Sequence, residues 1–295
     1  MNNSALIFDI KRDCSEDGPG IRTTIFFKGC PLSCEWCQNP ESISKKPQLS
    51  FRAEACQPSH CDSACVKVCE SHCLRFVDRL HVNQDQCSRC DRCFDVCPTK
   101  ALEPSGYWIT LDELMYRICI DIPFFQSTGG GVTLSGGEAT QQMPFIHRFL
   151  KALKEKQIHT AIETNGFFNY RKFSQQVLPY IDVIYFDLKL IDESESKKHT
   201  GQSNKLILDN FKKLIQQSEV PIIPRIPLIP GITTNKKNLV GISQFLKKLS
   251  INEVTLLPYN PLWQDKLKRL DLKSNYKFRS LMSAEETTAC INRFY

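Results

Sequence analysis

Thirteen of the chain's fifteen cysteines lie before Pro98. That uneven distribution limits the possible folds more than any other feature. The block from Cys56 to Cys97 holds few aliphatic residues, so it cannot build an ordinary apolar core and would need metal to fold. A disulfide scaffold is the other use of many cysteines, but such scaffolds are small secreted domains, and this chain has 295 residues. The segment Met1 to Arg12 has only a short apolar stretch, Ala5 to Phe8, interrupted by Asp9. It lacks the charged start and long apolar run of a signal peptide. No run of eighteen apolar residues occurs, so no transmembrane helix is expected. A cytoplasmic protein with reduced thiols that works with metal is the expectation.

The charge balance excludes little. Lys and Arg number 38 against 32 Asp and Glu, a net +6. Clusters such as Lys151, Lys154 and Lys156, or Lys247 and Lys248, stand at helical spacing beside apolar residues. A solvated helix face accounts for them without nucleic acid.

After the cysteine-rich front the chain reads as strands alternating with helices. Runs of β-branched and aromatic residues predict strands at Thr23–Lys28, Val132–Ser135, Thr160–Glu163, Val183–Leu188, Ile222–Ile226 and Val254–Pro258. Thr110 and Glu113 form a capping-box pattern that predicts a helix over Leu111–Phe125. Phe145, Ile146, Phe149, Leu150 and Leu153 recur at helical spacing, as do Leu239, Ile242, Phe245, Leu246 and Leu249. Six βα units suggest a parallel sheet, either an open partial barrel or a doubly wound sheet, with functional residues at the C-terminal strand ends.

Directly after the first of these strands come Cys30, Cys34 and Cys37. Three thiolates spaced x3 then x2 can hold three irons of a [4Fe–4S] cubane. The fourth iron is then left open to chelate an amine and a carboxylate. Zinc with a distant fourth ligand is the alternative, although structural zinc sites usually come as paired knuckles. A second motif, Cys87-x2-Cys90-x2-Cys93-x3-Cys97-Pro98, is the bacterial ferredoxin run, whose fourth cysteine can serve the neighbouring cluster. An imperfect upstream copy holds Cys56, Cys61, Cys65, Cys69 and Cys73, with Cys65-Val-Lys-Val-Cys69 matching Cys93-Phe-Asp-Val-Cys97. Crossover gives one cluster Cys56, Cys61, Cys65 and Cys97, and the other Cys87, Cys90, Cys93 and Cys69. Cys73 is a rival ligand, and zinc or a degenerate copy with one cluster is the alternative. His81, His147, His159 and His199 have no metal spacing. Cys14, Cys119 and Cys290 are expected to be buried thiols.

The triad and its flanks resemble the glycyl-radical enzyme activating enzymes, the pyruvate formate-lyase activase group of the radical S-adenosylmethionine superfamily. The resemblance is carried by Asp17-Gly-Pro-Gly-Ile-Arg22, Cys37-Gln-Asn-Pro-Glu-Ser42 and Gly129-Gly-Gly-Val-Thr-Leu-Ser-Gly-Gly-Glu138. It continues through Glu163-Thr-Asn-Gly166, Asp187-Leu-Lys189, Arg225-Ile-Pro-Leu-Ile-Pro-Gly231 and Leu256-Leu-Pro-Tyr259. The cysteine block resembles the insert found in a subset of these enzymes.

This resemblance implies an α/β fold, a partial (β/α)6 barrel with an inserted ferredoxin-like double [4Fe–4S] domain. The barrel's N-terminal part would be residues 1–51, the insert 52–102 and the rest of the barrel 103–295. It implies three [4Fe–4S] clusters, S-adenosylmethionine, a glycyl-radical enzyme as protein substrate and a low-potential donor such as flavodoxin or ferredoxin. A monomer is expected, with no nucleic-acid or membrane partner. Catalytic roles would fall to Cys30, Cys34, Cys37 and Lys189. Cofactor contacts would come from Trp36, Cys37, Gln38, Gly136, Gly137, Glu138, Asp187, Leu188, Lys189 and Asn260. In this pattern Glu138 accepts from the cofactor's amine, Lys189 binds its carboxylate, and Asn260 replaces a His near the ribose. Glu163 stands where the pattern has an Asp that helps hold a cation. Asp17 and Arg22 would hold the partner's glycine loop. Two rival readings are a radical enzyme acting on a small metabolite and a polyferredoxin-type electron carrier.

Overall fold

Six short β-branched and aromatic runs become six parallel strands. In a computed structural model, which describes residues 3–294, the strands are β1 (Ser4–Cys14), β2 (Arg22–Phe27), β3 (Gln48–Phe51), β4 (Leu74–Phe76), β5 (Leu80–Val82) and β6 (Leu102–Ser105), followed by β7 (Tyr107–Thr110), β8 (Gly131–Gly136), β9 (His159–Thr164), β10 (Val183–Asp187), β11 (Ile222–Leu228) and β12 (Thr255–Pro258). The main sheet runs β12-β11-β10-β9-β8-β2-β1-β7. The segment β2 to β12 is parallel throughout, with helices as crossovers. The end strands β12 and β7 do not pair with each other, so the barrel stays open.

Period-two alternation gives the curved sheet two unlike faces. Leu134, Ile162, Phe186 and Ile226 are fully buried against the outer helices. They meet Phe145, Ile146, Phe149, Leu150 and Leu153 of the helix Met143–Glu155, and Leu239, Ile242 and Leu246 of the helix Lys236–Lys247. Burying one such side chain contributes about 1.5–3 kcal/mol. Ser135, Glu163, Asp187 and Arg225 lie one residue away from these and face the concave side, where they line a cavity.

One local expectation needs correction, and one strand was not expected. The helix expected over Leu111–Phe125 is two helices, Leu111–Cys119 and Ile122–Thr128. Pro123 has no N–H to continue the ladder, so the helix breaks before it. Thr110 does cap the first helix, accepting from the Glu113 amide at 3.2 Å. The Glu113 carboxylate instead takes a bond from Arg117 at 2.5 Å. The unexpected strand is β1, which pairs antiparallel with β2 and β7.

The cysteine block leaves the barrel through a two-stranded ladder. β3 pairs antiparallel with β6, from Gln48↔Ser105 to Phe51↔Leu102. The chain thus enters and leaves the block side by side. Inside it stand the β4–β5 hairpin and helices of four residues.

Candidate metal centres and cofactor cavity

The loop after β2 is fixed along its length. The Gly29 amide donates to Ser42 O at 2.7 Å and the Cys30 amide to Ile43 O at 3.2 Å. Ser33 and Glu35 donate backbone N–H to Thr200 O and His199 O. Lys28, buried beneath, donates to Glu41 O and to Gln48 Oε1. Cys30, Cys34 and Cys37 therefore border one cavity of about 340 Å³ at the C-terminal ends of the parallel strands. Burial pushes all three thiols up to about 12. A nearby Lys189 opposes this, and Asn165 Nδ2 lies 3.5 Å from Cys30 Sγ. Among the described residues no three His, Cys, Asp or Glu side chains converge on a single-ion site. The three sulfurs border this cavity with Lys189, and the Asn165 side-chain amide reaches Cys30 Sγ, a donor set that suits a thiolate-held cluster.

Polar groups close the other walls. Gly136 and Gly137 line the cavity and must be glycines. Gly136 has φ +109°, and a Cβ there would sit 2.3 Å from Phe27 O. A Cβ at Gly137 would sit 2.6 Å from Gly29 O. The Gly137 amide donates to Phe27 O and the Glu138 amide to Gly29 O, each at 2.9 Å, which joins this turn to the thiol loop.

Asp187 and Lys189 also face the cavity, with Lys189 Nζ donating to Asp187 Oδ2 at 2.9 Å. Burial works against both charges, but the pair outweighs it: Asp187 falls below the usual carboxylate range and Lys189 rises. Arg225 had no assigned role in the sequence reading, yet its guanidinium bridges Asp187 Oδ1 at 3.0 Å and Glu163 Oε1 at 2.5 Å. Ser135 Oγ donates to the other Glu163 oxygen. Burial raises Glu163, and Arg225 opposes the rise. The Glu163 carboxylate is thus satisfied by a guanidinium and a hydroxyl.

Trp36 and Gln38 line the same wall. Trp36 is also packed among Leu190, Ile229, Ile232, Tyr259 and Trp263. Gln38 Nε2 donates to Asn260 O at 3.1 Å, tying the thiol loop to the loop after β12. Asn260 lines the cavity too, but its Oδ1 accepts from the Leu262 amide at 2.9 Å. Its Nδ2 is the group left to serve a ligand.

Three side chains named in the sequence reading do not reach the cavity. Glu138 is fully buried behind it. Its carboxylate accepts from Thr140 Oγ1 at 2.7 Å, Thr164 Oγ1 at 2.9 Å and the Asn165 amide at 2.9 Å. It holds the loop after β9 and offers no free oxygen to an ammonium. Leu188 points away, into the core behind β10, because neighbours in a strand alternate faces. Arg22 is buried at the opposite end of the strands, donating to Thr133 Oγ1 at 2.6 Å and Val132 O at 2.7 Å. It cannot hold a partner's loop. Asp17 is partly exposed and accepts from Thr24 Oγ1 at 2.6 Å.

In the insert, two groups of thiols assemble. Burial raises Cys56, and raises Cys65 to about 11; Cys61 and Cys97 are charged neighbours of both. Cys69, Cys73, Cys87, Cys90 and Cys93 line a separate small cavity. Both groups thus place the cysteines that crossover joins in one neighbourhood, with Cys73 as an added member of the second. Of the remaining thiols only Cys290 is buried; Cys14 and Cys119 are partly exposed, contrary to expectation. His199 pairs with Glu35 and Glu195, and His81 with Asp78 and Asp271.

Residues 86–240 match the radical SAM superfamily, and residues 16–74 match a 4Fe-4S single cluster domain. The chain is 39% identical over 269 residues to the trans-4-hydroxy-L-proline dehydratase activating enzyme of Clostridioides difficile, covering 90% of this chain and 87% of that one. It is 35% identical over 305 residues to the choline trimethylamine-lyase activating enzyme of Oleidesulfovibrio alaskensis, covering 100% and 97%. It is 34% identical over 291 residues to the 4-hydroxyphenylacetate decarboxylase activating enzyme of Clostridium scatologenes, covering 97% and 93%. In fold it is similar to a radical SAM methyltransferase from Sphaerobacter thermophilus, with TM-score 0.53 and 11% identity over 97% of this chain and 73% of that one.

Proposed function

The chain belongs to the radical SAM superfamily and, within it, to the activating enzymes of glycyl-radical enzymes, and on that premise we propose how its residues divide the work. A [4Fe–4S] cluster, when bound, supplies one electron that cleaves S-adenosylmethionine to methionine and a 5′-deoxyadenosyl radical, which takes a hydrogen atom from a glycine Cα of the partner. Cys30, Cys34 and Cys37 hold that cluster. Lys189 binds the cofactor's carboxylate as a point charge, with Asp187 fixing its position. The amine is accepted by backbone around Gly136 and Gly137 in place of the buried Glu138 carboxylate. Trp36, Gln38 and Asn260 hold the nucleoside end. Arg225 ties Glu163 to Asp187, and Asp187 in turn favours the cationic form of Lys189.

The insert, residues 52–102, carries two further clusters, for three in all, between barrel parts 1–51 and 103–295. It relays electrons from a flavodoxin or ferredoxin. The protein acts as a cytoplasmic monomer; among the described residues no helix is long and apolar enough to cross a membrane. The observation that carries this reading is one cavity bordered by all three triad thiols and by the strand-end charges of β10 and β11. An electron carrier has no use for that cavity.

The test mixes the reduced protein, S-adenosylmethionine and a glycyl-radical enzyme encoded beside it, without oxygen. A glycyl-radical doublet in electron paramagnetic resonance should appear together with 5′-deoxyadenosine, and a glycine-to-alanine change in the partner should remove it. Consumption of a small metabolite in step with the cofactor, with no partner radical, would overturn the reading.

A further inference from the structure

The insert's second cavity has one cysteine too many. A cubane takes four thiolates, and Cys69, Cys73, Cys87, Cys90 and Cys93 all line the wall. Cys69 Sγ and Cys73 Sγ lie 3.4 Å apart, and both residues are buried. Metal–thiolate bonds of about 2.3 Å allow one iron position to be reached from either sulfur.

The internal repeat shows which of the two is resident. Cys69-Glu-Ser-His-Cys73-Leu74 aligns with Cys97-Pro-Thr-Lys-Ala101-Leu102. Cys69 Sγ lies 3.6 Å from Ser71 Oγ, the His72 amide donates to Cys69 O at 3.0 Å, and His72 has φ +50°. Cys97 Sγ lies 3.8 Å from Thr99 Oγ1, the Lys100 amide donates to Cys97 O at 3.1 Å, and Lys100 has φ +51°. The two turns share this geometry, so Cys69 holds the place of Cys97. Cys73 holds the place of Ala101, which is 1% exposed. A residue needed there only for packing could be alanine, as its counterpart is.

We infer that Cys69 and Cys73 are interchangeable at the fourth ligand position of the cluster bordered by Cys87, Cys90 and Cys93: Cys69 is the resident ligand, and Cys73 takes its place when Cys69 is lost. The twin site, with Ala101, has no such reserve. This rests on the two-cluster reading of the insert. It places redundancy on the half of the repeat that departs from the usual sequence, with Glu70 where its twin has Pro98.

The test is iron content of the full chain after anaerobic reconstitution, with Mössbauer spectra to identify cluster type. Wild type should hold ~12 irons, at four per cluster. Cys69→Ala should stay near ~12, and Cys73→Ala likewise, whereas the double variant should fall by ~4. In the twin, Cys97→Ala should lose ~4 irons and Cys97→Ala/Ala101→Cys should regain them. That last pair guards against a Cys69 variant that merely misfolds. A Cys69→Ala count as low as the double variant's would overturn the inference, as would loss of iron from Cys73→Ala alone or failure of Ala101→Cys to restore the twin. A wild-type count near ~4 would instead overturn the two-cluster premise, and this inference with it.

Discussion

The barrel and the insert obtain their shape from different sources. The barrel buries a continuous apolar cluster from Ala5 to Phe294, with whole side chains such as Phe149, Phe173, Phe186 and Phe211 fully out of water. The cluster beneath the insert buries only Leu49, Phe51, Leu74, Leu80, Val82, Ala101 and Leu102 besides three cysteines. The insert's backbone is also less comfortable. Among the described residues, ten non-glycine positions have positive φ, and six of them, Asp62, Ser63, His72, Arg89, Asp91 and Lys100, fall between Cys56 and Ala101. Left-handed backbone at such residues costs of order 1–3 kcal/mol each and persists only where the surroundings impose it. Apolar burial imposes the barrel; on the proposed reading, metal ligation imposes the insert.

The largest expected effect follows directly. Anaerobic iron removal should cost the insert its structure, since metal binding contributes on the order of 10 kcal/mol to small metal-dependent domains. Hydrogen exchange should then become fast from Cys56 to Cys97, while Val132, Leu134 and Ile162 stay protected. Equal protection in both regions after chelation would erase the distinction.

A much smaller effect is expected at a cofactor contact of the barrel. Asn260→Asp keeps the oxygen that caps the Leu262 amide but removes the Nδ2 donor. It should weaken S-adenosylmethionine binding by about one hydrogen bond, ~1 kcal/mol, or tenfold at most. Equilibrium binding measures this, and an unchanged Kd would remove Asn260 from the ribose end.

The same division governs what could be read from sequence. The six parallel strands were legible because buried parallel strands are continuous β-branched runs. β1 was not, because register shifts between Ile7 and Asp9 and between Lys11 and Cys14 scramble its alternation. That Cys30, Cys34 and Cys37 border one cavity was legible because residues this near in sequence stay near in space. Glu138 and Leu188 were misplaced because a linear motif does not reveal which neighbour faces inward. Asp187 and Lys189 face the cavity, Leu188 faces the core, and the chain carries Glu138 behind the wall after Gly137. Arg225 received no role because its carboxylate partners, Asp187 and Glu163, lie 38 and 62 residues away.

On the proposed division of labour, the barrel performs the chemistry and the insert supplies electrons. The most direct measurement is 5′-deoxyadenosine formed from S-adenosylmethionine with dithionite, in Cys34→Ala and Cys90→Ala side by side with iron counts. Cys34→Ala should form none while keeping the insert's iron. Cys90→Ala should still form 5′-deoxyadenosine, because a small reductant can reach the barrel cluster without the relay. Cleavage that survives in Cys34→Ala, or that vanishes in Cys90→Ala while the barrel's own ~4 irons remain, would contradict the account.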